Sequence, residues 1–143
     1  MGEVLSFSMA RTQPALAELS AQVERVLEER DVPAKASFGV QLAIDELVSN
    51  IVKYGTGGRS GSEVMVRLLF EDHAIAVEIE NEGDRFNPFE RPDPVLNQPA
   101  EERPIGGLGI HLARKMMDEC EYSYRDGSNV LVLRKKFALD GSQ

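Results

Sequence analysis

The sequence predicts an α+β protein, a two-layer α/β sandwich in which three helices cover one face of a mostly antiparallel sheet of about five strands. Apolar residues recur at helical spacing in two long segments and alternate at strand spacing in short ones. The elements follow in the order strand, two helices, hairpin, helix, hairpin. Strands joined by tight turns pair antiparallel, and the helices between them form a covering layer.

Residues 4–9 alternate apolar and polar side chains and read as a short strand. Pro14 then opens a helix whose apolar residues Leu16, Leu19, Val23, Val26 and Leu27 recur at steps of three and four. Asp31 and Pro33 mark its end. A second helix is expected over residues 34–53, with Val40, Ile44, Leu47 and Ile51 facing the core and Gly55, Gly57 and Gly58 ending it. Residues 64–70 and 74–80 read as a hairpin turning at Glu71-Asp72-His73.

Residues 84–105 behave differently. They contain Pro88, Pro92, Pro94, Pro99 and Pro104 with little apolar periodicity, and a connection of this length is usually functional or disordered. Prolines and charged ends suit an exposed lid. A third helix is expected after Gly109, continuing to about Asp118. Residues 121–125 and 130–136 form the final strands around Asp126-Gly127-Ser128-Asn129. With no internal repeat, residues 1–143 read as a single domain with the lid inside it.

A net charge of −8 argues against a phosphate-backbone surface for nucleic acid and favours a small ligand accompanied by cations, or a protein partner. Cys120 is the only cysteine, so no intrachain disulfide can form, and the isolated His73 and His111 assemble no zinc-type cluster. The N-terminal residues lack the basic and apolar regions of a signal peptide, and no apolar run reaches membrane-spanning length. A cytoplasmic chain without membrane contact is the expectation.

Two separated segments carry the chemistry. Glu46 and Asn50 lie one turn apart on the second helix, about 100° from its core face. Gly106-Gly107-Leu108-Gly109-Ile110 runs into the third helix, exposing backbone N–H groups suited to an anion. Together they predict a nucleotide-phosphate site with a metal ligand and a general base.

Glu46-Leu47-Val48-Ser49-Asn50, Asn81-Glu82-Gly83-Asp84-Arg85-Phe86-Asn87-Pro88 and Gly106-Gly107-Leu108-Gly109-Ile110 resemble, in order, three nucleotide boxes of the GHKL (Bergerat-fold) ATPases. Within that superfamily the chain looks most like the small anti-sigma-factor serine/threonine kinases of bacteria, which carry a histidine-kinase-like ATPase domain. The likeness extends over nearly the whole chain, through the proline-rich lid, Met117-Asp118 and Gly127-Ser128-Asn129-Val130-Leu131.

The resemblance implies ATP and Mg2+ as cofactors. Asn50 matches the metal-binding asparagine, fitting a cation that prefers hard oxygen ligands and keeps several waters. Glu46 matches the carboxylate that accepts the proton of an attacking hydroxyl. Histidine kinases typically carry an amide there, so a carboxylate favours serine or threonine as acceptor; neither His73 nor His111 follows a helical dimerisation segment. Lys53 extends the stripe, either toward a phosphate or as a partner for the helix dipole. Asn81 stands where the superfamily usually has an aspartate that accepts from the adenine amino group, leaving a neutral hydrogen bond instead of a charge-assisted one.

Gly83 fits a close approach beneath the base or a turn, and Phe86 with Pro88 matches the segment leading to the lid or packs. Gly106, Gly107, Leu108, Gly109 and Ile110 supply the phosphate cradle, and Arg103 matches the lid's basic residue for the terminal phosphate. His111 reads as packing or surface. The family implies a kinase that phosphorylates a STAS-type anti-anti-sigma protein, holds a sigma factor and commonly dimerises. The alternative, kept open by Asn81, is a nucleotide-responsive or degenerate switch module that binds partners without phosphotransfer.

Overall fold

The structure is a computed structural model that describes residues 2–90 and 107–138. Strands β1 (Glu3–Met9), β2 (Val64–Glu71), β3 (Ala74–Glu82), β4 (Glu119–Arg125) and β5 (Ser128–Lys136) form one sheet in the order β1-β2-β3-β5-β4. Every neighbouring pair is antiparallel. Helices α1 (Gln13–Glu29), α2 (Ala34–Tyr54) and α3 (Gly107–Met116) build the second layer. The expected α+β architecture is the observed one. No helix among the described residues is long and apolar enough to cross a membrane.

Local chemistry fixes the helix ends. Thr12 caps α1 by accepting from the Ala15 N–H at 3.2 Å, and Pro14 sits in the first turn, where a missing N–H leaves no bond unmade. The far end closes with two reverse bonds of 3.1 Å, Val32 N–H to the Leu27 carbonyl and Asp31 N–H to that of Glu28. Asp31 takes the left-handed conformation this cap requires, with φ of 55°.

The core lies between the layers. Leu19, Val23 and Leu27 of α1 and Ile44, Leu47 and Ile51 of α2 are buried against the sheet. Their sheet partners follow the pleat: Val66 faces Ile79 and Ile79 faces Leu131, while Leu68, Val77 and Leu133 repeat the row one step along. The alternate residues carry charge on the other face, where Arg67 contacts Glu78 at 2.6 Å and Glu80 at 3.1 Å across the strands.

The structure corrects two boundaries. α3 starts at Gly107, not after Gly109, so the expected loop glycines Gly107 and Gly109 form its first turn. First-turn N–H groups have no intrahelical acceptor, so that turn is held by fewer bonds and its start leaves little propensity signal. The last hairpin turns on Asp126 and Gly127 alone, with φ of 52° and 81°, the two positive values of a type I′ turn. Ser128 and Asn129 therefore belong to β5, and Asn129 pairs with both Asn81 and Tyr124. The lid expected over residues 84–105 is described only to residue 90, ending in a 3-10 turn at Pro88–Glu90.

Leu47 is fully buried between α2 and the sheet. Leu47→Ala is expected to cost about 2–5 kcal/mol by combining lost transfer energy with a residual cavity. Urea denaturation should show a lowered midpoint with an unchanged slope.

Candidate functional site

The end of α2, the end of β3 and the start of β5 meet at one edge of the sandwich. Three buried polar side chains are found among the described residues, Asn50, Asn81 and Asn129, one on each of these elements. Burying an amide without partners is costly, so such a grouping needs an account.

Glu46 and Asn50 are more enclosed than their angle from the core face suggests, because α3 packs along that side of α2. The Glu46 carboxylate lies against Gly109 in the first turn of α3; a Cβ there would overlap it. The sequence-predicted stripe and glycine segment are therefore brought together. Asn50 is buried, and its amide nitrogen donates to the Glu46 carbonyl at 2.7 Å. Its carbonyl oxygen is the end with the chemistry of a hard-cation ligand. No group of three or more His, Cys, Asp or Glu residues suited to a metal is present among the described residues. A single amide oxygen fits a cation that draws its other ligands from phosphate and water.

Burial is the main cause that pushes the Glu46 carboxyl above its ordinary pKa. The neighbouring Asp45 charge adds to this, and Lys53 opposes it. Lys53 is exposed at the end of the same stripe. Asp45 is itself held by the Ser20 hydroxyl of α1.

Asn81 takes the last inward position of β3, following Ile79 on the core side. Two residues on, a Cβ at Gly83 would stand 2.6 Å from the Thr56 carbonyl oxygen, so only glycine permits this approach of strand end and helix end. Gly83 N–H donates to the Gly127 carbonyl at 3.0 Å, and Asp84 N–H to that of Thr56 at 2.8 Å. Phe86 packs against the core and Pro88 is buried. Arg114 of α3 donates to the Phe89 carbonyl at 3.1 Å and lies 5.9 Å from the centre of its ring. The two flanks of residues 91–106 are thereby tied side by side.

Other sequence-predicted residues fall differently. The Ile110 side chain is in the core, and His111 is half-buried on α3. Arg103, Gly106 and the Leu108 side chain lie outside the described residues. Sequence reasoning missed Asn129 as an individual residue, together with Tyr122 and Tyr124. Asn129 Oδ1 accepts from the Tyr122 hydroxyl at 2.5 Å, and the Tyr124 hydroxyl donates to the Gly83 carbonyl at 2.8 Å. The available signal was an asparagine in phase with Leu131 and Leu133, where an apolar residue is expected.

A half-buried carboxylate set against the first turn of α3, beside a buried amide, thus lies at one edge of the two-layer sandwich. The chain belongs to the histidine kinase-like ATPase domain family, whose model matches residues 9–135.

Serine-protein kinase RsbW of Listeria monocytogenes serotype 4a (strain HCC23) is 26% identical over 99 residues, which cover 66% of this chain and 63% of the relative. RsbW of Bacillus mycoides (strain KBAB4) is 28% identical over 99 residues, covering 66% and 61%. The chain thus spans less than two thirds of the length of the curated relatives it matches. The crystal structure of the RsbU and RsbW domains of Rv1364c from Mycobacterium tuberculosis matches with a TM-score of 0.66 at 16% identity. That match covers 94% of this chain and 32% of the other and is a likeness of fold.

The raised pKa of Glu46 has a defined consequence for stability. At neutral pH its ionised carboxylate is worse solvated in the folded chain than in the unfolded one. Folded Glu46 binds its proton at higher pH, so its contribution to stability falls as pH rises through its folded pKa. Glu46→Gln is expected to raise the melting temperature at neutral pH, and the gain should vanish below the ordinary glutamate range. Thermal denaturation of both proteins across pH checks this.

Proposed function

We propose that this chain is an ATP-dependent serine/threonine protein kinase acting as an anti-sigma regulatory factor, with a small STAS-type anti-anti-sigma protein as its phosphoacceptor. The observation that carries the reading is Glu46, a half-buried carboxylate of raised pKa beside buried Asn50 and against the first turn of α3. Its similarity to relatives named serine-protein kinases supports it.

In this reading Glu46 accepts the proton of the acceptor's serine or threonine hydroxyl as its oxygen attacks the terminal phosphorus of ATP. The bond between that phosphorus and the ADP oxygen breaks, and ADP leaves. A raised pKa suits this base, because the proton must be held during transfer and released afterwards. Asn50 would hold Mg2+, which when bound screens the phosphate charge. The N–H groups that open α3 at Gly107, Leu108 and Gly109 would bind phosphate oxygens, Lys53 would add a positive charge at the rim, and the family resemblance assigns Arg103 and Gly106 to phosphate binding as well. Asn81 would accept from the adenine amino group, Gly83 would permit close approach of the base, and Phe86 leads into the lid. A sigma factor and a second copy of the chain are the further partners of this reading.

The neutral Asn81 favours a second reading, a nucleotide-responsive switch that binds partners without phosphotransfer. Calorimetry showing no Mg·ATP binding would reject the kinase, and phosphate incorporation into a STAS protein separates kinase from switch. Glu46→Gln is expected to lower transfer by about 10²–10⁴-fold, the usual contribution of general-base catalysis, with Mg·ATP affinity nearly unchanged. Undiminished transfer by that variant rules out the base assignment. Asn50→Ala is expected to lower affinity for Mg·ATP more than for ATP in the presence of a chelator. Equal losses would remove Asn50 as the metal ligand.

A further inference from the structure

The segment from Gly83 to Phe86 leaves β3 at the base end of the site and leads toward the expected lid. Its backbone is clamped from two sides. On one side Asp84 N–H donates to the Thr56 carbonyl, and the Thr56 hydroxyl donates to Asp84 Oδ2 at 2.9 Å. On the other side the clamp is the hairpin of β4 and β5. Tyr124 binds the Gly83 carbonyl, with Arg85 stacked 4.7 Å from the centre of its ring.

Asn129 is the centre of that second side. Its Oδ1 accepts from the Phe86 N–H at 2.8 Å and from the Tyr122 hydroxyl, while its Nδ2 donates to the Asp84 carbonyl at 2.9 Å. The side chain is 2% exposed, so lost bonds would not be replaced by water. No residue of similar shape satisfies all three partners. An aspartate would set a carboxylate oxygen against the Asp84 carbonyl, and leucine would leave every partner unmet. Asn129 is also the register partner of Asn81. One buried amide therefore fixes the lid root relative to the residue that reads the base.

We propose that Asn129 is a positioning residue for nucleotide binding, holding the backbone of residues 84–86, and with it Gly83, in register with Asn81. This rests on the nucleotide-binding reading of the site. The chain has no tryptophan and three tyrosines, two of which, Tyr122 and Tyr124, belong to this network, so tyrosine emission reports on it directly.

The test titrates Mg·ATP into the full chain, Asn129→Asp and Tyr122→Phe, following heat and tyrosine emission. Circular dichroism and melting temperature are recorded alongside. Asn129→Asp is expected to weaken binding about tenfold, and Tyr122→Phe about threefold, the range expected when one buried hydrogen bond is lost. Mg·ATP should change tyrosine emission in the unsubstituted chain and change it less in Asn129→Asp. A purely structural Asn129 would lower the melting temperature yet leave the Kd of the folded protein unchanged. Unchanged Kd values in both variants overturn the proposal while the nucleotide reading stands. If the unsubstituted chain binds no Mg·ATP, both fall. Should Asn129→Asp fail to fold, Tyr122→Phe, which keeps its ring, decides the matter: weakened binding supports the proposal and unchanged binding overturns it.

Discussion

The close approach of α2 and α3 at Glu46 and Gly109 is the constraint on which the candidate site depends. A side chain at residue 109 would occupy the space of the Glu46 carboxylate, so the geometry exists only with glycine there. Neither helix is free to relieve the contact. α2 is held by Ile44, Leu47, Val48 and Ile51 in the core, and α3 by Ile110 and Ala113, with Met117 just past its end. Close-packed interiors transmit displacement instead of absorbing it. The same packing that stabilises the sandwich therefore sets where the carboxylate sits and how far it is withdrawn from water.

The polar groups at this end divide by what burial costs them. The three buried polar residues among those described are all asparagines. A neutral amide can be buried once its hydrogen bonds are met, whereas an ionised group pays a far larger desolvation cost. Glu46, one turn from Asn50 on α2, is only half-buried, and the pKa of its carboxyl nevertheless rises above the ordinary range. An asparagine at residue 81 is consistent with that economy: on the core side of β3 it adds a neutral buried amide and not an enclosed carboxylate.

Much of the fold was legible because it is written in local periodicity. The apolar steps of α1 and α2, the alternation of β2 and β3, and the left-handed preference of Asp126-Gly127 each reflect neighbours in sequence. Glu46, Asn50 and the glycines were legible as a spacing pattern, and α2 and α3 meet at Glu46 and Gly109. What could not be read depends on pairs distant in sequence. The start of α3 at Gly107 rests on tertiary packing, since glycine contributes little helical preference. The partners of Asn129 come from β4 and from the segment after β3, and no local pattern announces a three-way hydrogen bond of that kind.

The site is built in two physically distinct halves. Glu46, Asn50 and the opening turn of α3 sit on helices whose positions follow from core packing. Asn81, Gly83 and the lid root sit on strand ends whose positions follow from hydrogen bonds to Thr56, Gly127 and Asn129. One described side chain joins the halves by a hydrogen bond, Arg114 of α3 donating to the Phe89 carbonyl at 3.1 Å, so substitutions at that link need not add in free energy with those at the strand ends. Gly83 and Thr56 are a second meeting point: Thr56, just past the end of α2, and Gly83, just past the end of β3, approach so closely that no side chain fits at residue 83. A movement of α2 against the sheet would therefore reach the strand end through the Thr56 carbonyl and hydroxyl, both bonded to Asp84, and a movement of α3 would reach the lid root through Arg114.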